Sequence, residues 1–234
     1  MLRSAETKAP GCQTAFGELY RIYRYPLYAY IRRRGYSPVD AQDLIQDFFL
    51  HLLEYKTLGR VDPLKGKFRS FLLGSLQNYL SIEAERTRCL KRGGAVEFVS
   101  LDMQDAEERY RLEPVDALTP EKVFAARWAM ALLGEAMNRL RREYAARQKS
   151  STVETLKPFL DLENSEKPPS YEQAAAALHV TVGAIKTLIH RLRKQYTQLV
   201  REEIERTVSD PADVGAEIHE LCQALMVAEG RIAP

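Results

Sequence analysis

The chain is poor in cysteine, nearly devoid of strand-like alternation and free of long apolar runs, and each lack narrows what it can be. Three cysteines, Cys12, Cys89 and Cys222, are scattered over 234 residues. None forms a C-x-x-C pair, which argues against a disulfide framework and a structural zinc site and fits a reducing compartment. No run of about 18 apolar residues occurs, so no membrane-spanning helix and no membrane partner are expected. Met1 to Gln13 lacks the apolar core of a secretory signal, and the expectation is a soluble cytoplasmic protein. The net charge of +2, from 34 basic and 32 acidic residues, excludes a simple polycation. It leaves nucleic-acid binding open, because local charge decides that.

Catalytic signatures are lacking as well. The four histidines are scattered and no H-E-x-x-H or G-x-S-x-G occurs. Gly59 and Gly66-Lys67 are spaced by six residues where a phosphate loop needs four, and Phe68 stands where that loop carries Ser or Thr. Asp40, Asp43 and Asp47 would chelate a hard metal only if turned inward. No active site, metal or cofactor is expected.

What is present is helix punctuation. Ser37-Pro38-Val39-Asp40 offers an N-cap, a proline at the first helical position and an acid at the third. Thr119-Pro120-Glu121 repeats the cap and proline, Ser170-Tyr171-Glu172-Gln173 reads as a capping box, and Asp210-Pro211 opens a last helix. The pattern predicts an all-α protein of two small helical domains. A flexible N-terminus, 1–13, precedes a first domain, 14–92, with helices over 14–34, 38–55 and from Phe68 to before Gly93. Residues 93–119 carry seven acids against Arg109 and Arg111 and read as an acidic linker. A second domain, 120–208, opens with a long helix to about Arg147 and holds a short helix near 153–160. Residues 209–234 form a C-terminal extension. Its stretch from Asp210 to Val227 reads as an amphipathic helix with Val214, Ile218, Leu221, Cys222, Leu225 and Met226. It would complete the local core or act as a latch over a binding face.

Three constellations carry chemistry. The first runs from Ser170 to Lys194: a small-residue helix ending at Leu178, a turn over His179 to Thr181, and a second helix capped by Thr181. That is helix-turn-helix spacing. Ala174 to Ala177 would permit close backbone approach, and Ile185, Leu188, Ile189, Leu192 and Tyr196 would form the buried stripe. Lys186, Thr187, His190, Arg191 and Lys194 would face outward, with no acid from Val182 to Tyr196. Such a helix suits a major groove; the plain alternative is a solvated basic face. The coincidence of cap, turn length and charge asymmetry favours DNA.

The second constellation is an acidic stripe, Asp40, Asp43, Asp47 and Glu54, beside the apolar Leu44, Ile45, Phe48, Phe49, Leu52 and Leu53. It would suit a basic partner and repel DNA, whereas acids near a helix start also complement its dipole. The third is Lys65-Gly66-Lys67-Phe68-Arg69-Ser70-Phe71, continuing through Asn78 and Tyr79 to Arg86, Arg88, Lys91 and Arg92. Cations, rings and amides in alternation suit single-stranded nucleic acid, although Phe68, Phe71, Leu72, Leu76 and Tyr79 also fit a helix core.

The two blocks in this order resemble a bacterial RNA polymerase sigma factor of the extracytoplasmic-function type, over about Thr14 to Arg92 and Ser170 to Lys194. The stretch Asp40 to Leu50 is similar to the region 2 helix that docks on the clamp coiled coil of the polymerase β′ subunit. The resemblance implies that Asp43, Gln46, Asp47 and Leu50 face polymerase. Lys67-Phe-Arg-Ser-Phe71 with Asn78 resembles the helix that captures the melted −10 element. This implies Arg60, Lys65, Lys67, Arg69, Phe71 and Asn78 near the non-template strand. Tyr171 to Lys194 resembles the region 4 motif that reads the −35 element, which implies Lys186, Thr187, His190 and Arg191 at DNA. The implied partners are core RNA polymerase (β′ clamp coiled coil and β flap) and promoter DNA, with an anti-sigma factor as a further candidate. The implied place of action is the bacterial nucleoid, and the chain itself supplies no active site. The alternatives are a helix-turn-helix regulator that never joins polymerase and a sigma-like interaction adaptor. His179 stands in the turn where the family often has glycine, at a position expected to be left-handed.

Overall fold

The computed structural model describes residues 10–54, 67–89, 102–111, 118–160, 169–208 and 210–228. These residues form α1 (Pro10–Arg33), α2 (Pro38–Glu54), α3 (Phe68–Cys89), α4 (Asp102–Arg111), α5 (Pro120–Ala146), α6 (Ser150–Leu156), α7 (Tyr171–Leu178), α8 (Val182–Glu205) and α9 (Val214–Ala228). Short 3-10 turns follow α6 (Lys157–Leu160) and precede α9 (Pro211–Asp213). There is no strand among the described residues, and the protein is all-α. No described helix is long and apolar enough to cross a membrane.

Local chemistry sets the helix ends. Gly35, at φ +94°, closes α1 in the left-handed region that glycine enters without penalty. Ser37 caps α2, its Oγ accepting from the Asp40 N–H at 3.1 Å. Gln148 ends α5 at φ +56°, with its N–H donating to the Ala145 carbonyl at 2.9 Å.

The chain divides into two compact units, one of Met1–Ala131 with Glu205–Pro234 and one of Leu132–Ile204. The divisions fall inside α5 and α8 rather than at the expected 119/120 and 208/209. A cap and proline mark where a helix starts, not where a core ends. The first third of α5 carries Val123, Phe124 and Trp128, all buried. They serve the first unit alongside Leu27, Tyr28 and Ile31 of α1, Ile45, Phe48 and Leu52 of α2, and Leu72 and Leu76 of α3. Aromatic edges tie these helices together, with Tyr23 against Phe68 at 5.6 Å and Phe48 against Tyr79 at 5.7 Å.

The stretch 93–119, expected to be a linker, contains a docked helix. Glu107 of α4 accepts from Nε and Nη2 of Arg32 of α1, each at 3.0 Å, and from the Tyr28 hydroxyl at 2.5 Å. Arg32 also lies over the Tyr110 ring at 4.9 Å. Burial and the adjacent Glu107 carboxylate both push the Tyr28 hydroxyl well above its ordinary pKa. Net acidity concealed this helix, because one carboxylate of the run is matched to an arginine and a tyrosine on another element.

The second unit buries one cluster from the later part of α5 (Ala136, Met137, Leu140), α6 with its turn (Val153, Leu156, Phe159), α7 (Ala174, Ala175) and α8 (Ile185, Ile189, Leu192, Tyr196, Leu199). Of the four expected close-approach alanines, Ala174 and Ala175 are buried while Ala176 and Ala177 are exposed. Polar clasps hold this cluster in place. Tyr196 donates to the Leu133 carbonyl at 3.1 Å, and Arg193 donates to the Phe159 carbonyl at 2.7 and 3.1 Å.

Glu107→Ala removes the acceptor shared by Arg32 and Tyr28. It is expected to lower stability by about 2 kcal/mol, the usual range for hydrogen bonds to a charged group, read as a fall in Cm in urea unfolding. Glu107→Ala with an unchanged midpoint would show that α4 contributes nothing to the first unit.

Candidate functional site

The acidic face of α2 is built by periodicity. Ala41, Ile45, Phe48, Phe49 and Leu52 point into the core, so residues offset from them must point out. Asp43, Gln46, Asp47 and Leu50 follow three-, four- and seven-residue steps and share one face. Asp43 and Asp47 are exposed, Leu50 is 55 % exposed, and Gln46 is half-buried. Asp40 is engaged otherwise, accepting from the Ser37 hydroxyl at 2.7 Å within the cap. The cap reading therefore accounts for Asp40, whereas Asp43 and Asp47 take no part in the cap. The side chain of Glu54 lies outside the described residues.

Electrostatics sharpens this face. The Asp47 carboxyl is pushed above the ordinary carboxylate range, first by partial burial, then by repulsion from Asp43 and from Glu83 of α3. A carboxyl with a raised folded-state pKa destabilises the fold once it ionises, and that cost fades as pH falls and the proton binds. Ionised Asp47 therefore destabilises the isolated chain, and a cationic surface placed against it would reverse the sign. Ile82, beside Glu83, is a large aliphatic 58 % exposed. Exposed aliphatics among acids form a surface suited to a partner with a basic, partly apolar face.

The basic and aromatic residues at the start of α3 do not gather on one face. Arg60, Lys65, Lys91, Arg92 and the side chains of Arg86 and Arg88 lie outside the described residues. Phe71 and Asn78, seven residues apart, share a face, with Asn78 exposed and Phe71 half-buried against Phe68 at 6.1 Å. Arg69 sits nine residues from Asn78, roughly 180° around the helix. Its side chain is 11 % exposed and lies over the Trp128 ring at 4.5 Å. Lys67 and Arg69 converge on two acids of α9. Glu217 meets Lys67 at 2.9 Å and Arg69 at 2.5 Å, and Glu220 pairs with both.

In the second unit, Ser170 caps α7 in a full capping box. Its Oγ accepts from the Gln173 N–H at 3.2 Å, and the Gln173 side chain accepts from the Ser170 N–H at 2.8 Å. Thr181 caps α8, accepting from the Ala184 N–H at 3.2 Å. Ile185, Ile189, Leu192 and Tyr196 are buried and Leu188 partly so, which turns Lys186, Thr187, His190, Arg191 and Lys194 outward, all exposed. Lys186 lies over the Tyr171 ring at 5.6 Å, and Tyr171 stacks on Phe159 at 5.6 Å. The N-terminal half of α8 thus carries a solvent-facing cationic surface on a rigid, capped frame.

Sequence reasoning missed four contributors to these surfaces. Glu83 of α3 adds its charge to the surroundings of Asp47. Trp128 is buried and is also the platform for Arg69. Glu217 and Glu220 lie on the C-terminal helix, of which only the apolar residues were singled out from the sequence. Glu217 was legible in principle, because it falls three residues after Val214 and four before Leu221, in the middle of the buried stripe of α9, where a lone carboxylate requires a cation.

Residues 19–81 match the family model described as Sigma-70 region 2. No curated protein and no solved structure gives a significant match. The matched span takes in all of α2 and most of α3, so the Asp43–Leu50 face, Lys67, Arg69, Phe71 and Asn78 fall within it, while α8 lies beyond it. This similarity links the first unit to sigma factors and hence to transcription initiation.

The turn between α7 and α8 carries a local strain that can be measured. His179 sits at φ +54° and ψ +44°, the left-handed conformation, which costs a non-glycine residue about 1–2 kcal/mol. His179→Gly relieves that cost and loses part of the gain to a freer unfolded chain. It is expected to stabilise by about 0.5–1 kcal/mol, raising Tm. A lowered Tm would show that the imidazole makes a compensating contact.

Proposed function

We propose that the chain is a sigma factor of the extracytoplasmic-function type, which binds core RNA polymerase, opens the −10 element with its first unit and reads the −35 element with α8. The observation that carries this reading is the exposed Asp43, Gln46, Asp47 and Leu50 face, lying inside the span that matches sigma-70 region 2. Its charge rejects DNA and fits a basic protein surface, here the clamp coiled coil of the polymerase β′ subunit. The β flap is the proposed seat of the second unit.

The capped helix-turn-helix supports the −35 assignment. Lys186 and Arg191 would neutralise phosphates, while Thr187 and His190 reach base edges. Binding through such contacts weakens steeply with salt as counterions are released. Phe71 and Asn78 on one face of α3 support capture of an unstacked base, with the ring as platform and the amide as reader. The chemistry of RNA synthesis belongs to polymerase; the chain contributes recognition and strand capture. The nucleoid of a bacterial cytoplasm is where such a factor would act.

Asp43→Lys with Asp47→Lys tests the reading against a helix-turn-helix regulator that never joins polymerase. Affinity for core polymerase is expected to fall by roughly 30-fold or more, the scale of reversing charges at a docking contact. Affinity for double-stranded DNA is expected to hold or rise. Unchanged core binding and run-off transcription would refute the docking role of α2.

A further inference from the structure

The two cations at the start of α3 that would meet the −10 strand are already occupied by two carboxylates of the same chain. Glu217 is 1 % exposed, and its two oxygens take Lys67 and Arg69 at 2.9 and 2.5 Å. Glu220, one turn further along α9, pairs with the same two cations from a half-exposed position. The Arg69 guanidinium also lies over the Trp128 ring at 4.5 Å. Two anionic groups, one turn apart, thus sit on an arginine–lysine pair backed by an indole. Consecutive phosphates of a nucleic-acid strand would engage the same groups by the same charge-assisted hydrogen bonds.

We infer that α9 is an intramolecular stand-in for the phosphodiester backbone, a latch that must leave Lys67 and Arg69 before a melted strand can reach them. The inference rests on the −10 reading of α3 given above. The hold of α9 is suited to release. Only Val214 and Leu221 of its apolar residues are fully buried, while Met226 and Cys222 face solvent. A short terminal helix with few buried side chains lies at the low-stability end of a fold. The exchange is also balanced. Once the DNA strand replaces Glu217 and Glu220, the two cations keep anionic partners and the two freed carboxylates regain water. Release by a competing polyanion therefore leaves no charge buried and unpaired. Polymerase-bound DNA, presented at high local concentration, would open the latch, whereas free chain would keep its basic pair masked and resist indiscriminate binding.

The test uses the full chain and a fluorescein-labelled 15-nucleotide oligo-dT as the phosphodiester probe. Glu217→Gln with Glu220→Gln keeps size and hydrogen bonding and removes both charges. The double variant is expected to bind the probe about tenfold more tightly than the parent, within the usual range of coupling between two sites. The slope of log affinity against log salt should steepen by about 1.4, as two cations become available to single-stranded phosphates. Glu220→Gln alone, at a half-exposed position that tolerates change, should give a smaller shift in the same direction. In the unaltered chain, the probe should raise amide hydrogen exchange over 214–228. Equal affinity and slope in parent and variants, with exchange over 214–228 unmoved by bound probe, would overturn the latch alone. Probe binding by neither parent nor double variant would overturn both the latch and the −10 role of Lys67 and Arg69, leaving the α2 docking reading to its own test.

Discussion

Crowded like charge on α2 is the constraint on which the account depends. Asp43 and Asp47 lie one turn apart on an exposed face, and the Asp47 carboxyl is pushed up first by partial burial, then by the charges of Asp43 and of Glu83 on α3. No ion pair among the described residues neutralises Asp43 or Asp47. A fold selected for stability alone has no use for such a cluster, since like charges at this spacing destabilise a helix. The arrangement becomes favourable when a basic partner supplies the missing sign. Leu50 and Ile82, both large and exposed, extend the same logic from charge to apolar area.

The same chain handles positive charge in two contrasting ways. On α8, Lys186, Arg191 and Lys194 are left to solvent by a stripe of buried aliphatics behind them, and two side-chain caps fix the frame on which they ride. On α3, Lys67 and Arg69 are bound by Glu217 and Glu220 of α9. One basic surface is open and the other is masked. The two surfaces differ in whether acids of the same chain already satisfy their cations.

How much of this was legible in the sequence follows from how local each signal is. The helix starts at Ser37, Ser170 and Thr181 were legible because a cap is settled within four residues. The outward faces of α2 and α8 were legible because a 3.6-residue period places polar and apolar positions without knowledge of the partner helix. The helix at 102–111 was not, because its stability comes from Arg32 and Tyr28, some 75–79 residues away. The unit boundaries were not, because Val123, Phe124 and Trp128 serve one core while Ala136 and Leu140 of the same helix serve another. The masking of Lys67 and Arg69 depends on a contact across about 150 residues. Only the misplaced acid at Glu217 hinted at it.

The central claim is that the carboxylate face of α2 grips polymerase while α8 grips DNA. Site-specific photo-crosslinking from Leu50, in the full chain assembled with core RNA polymerase and promoter DNA, tests it most directly. The account predicts capture of the polymerase β′ subunit from Leu50, with His190 in a parallel sample capturing duplex DNA upstream of the melted segment. Capture of DNA from Leu50, or no polymerase product from Leu50 while the complex remains assembled, would contradict it.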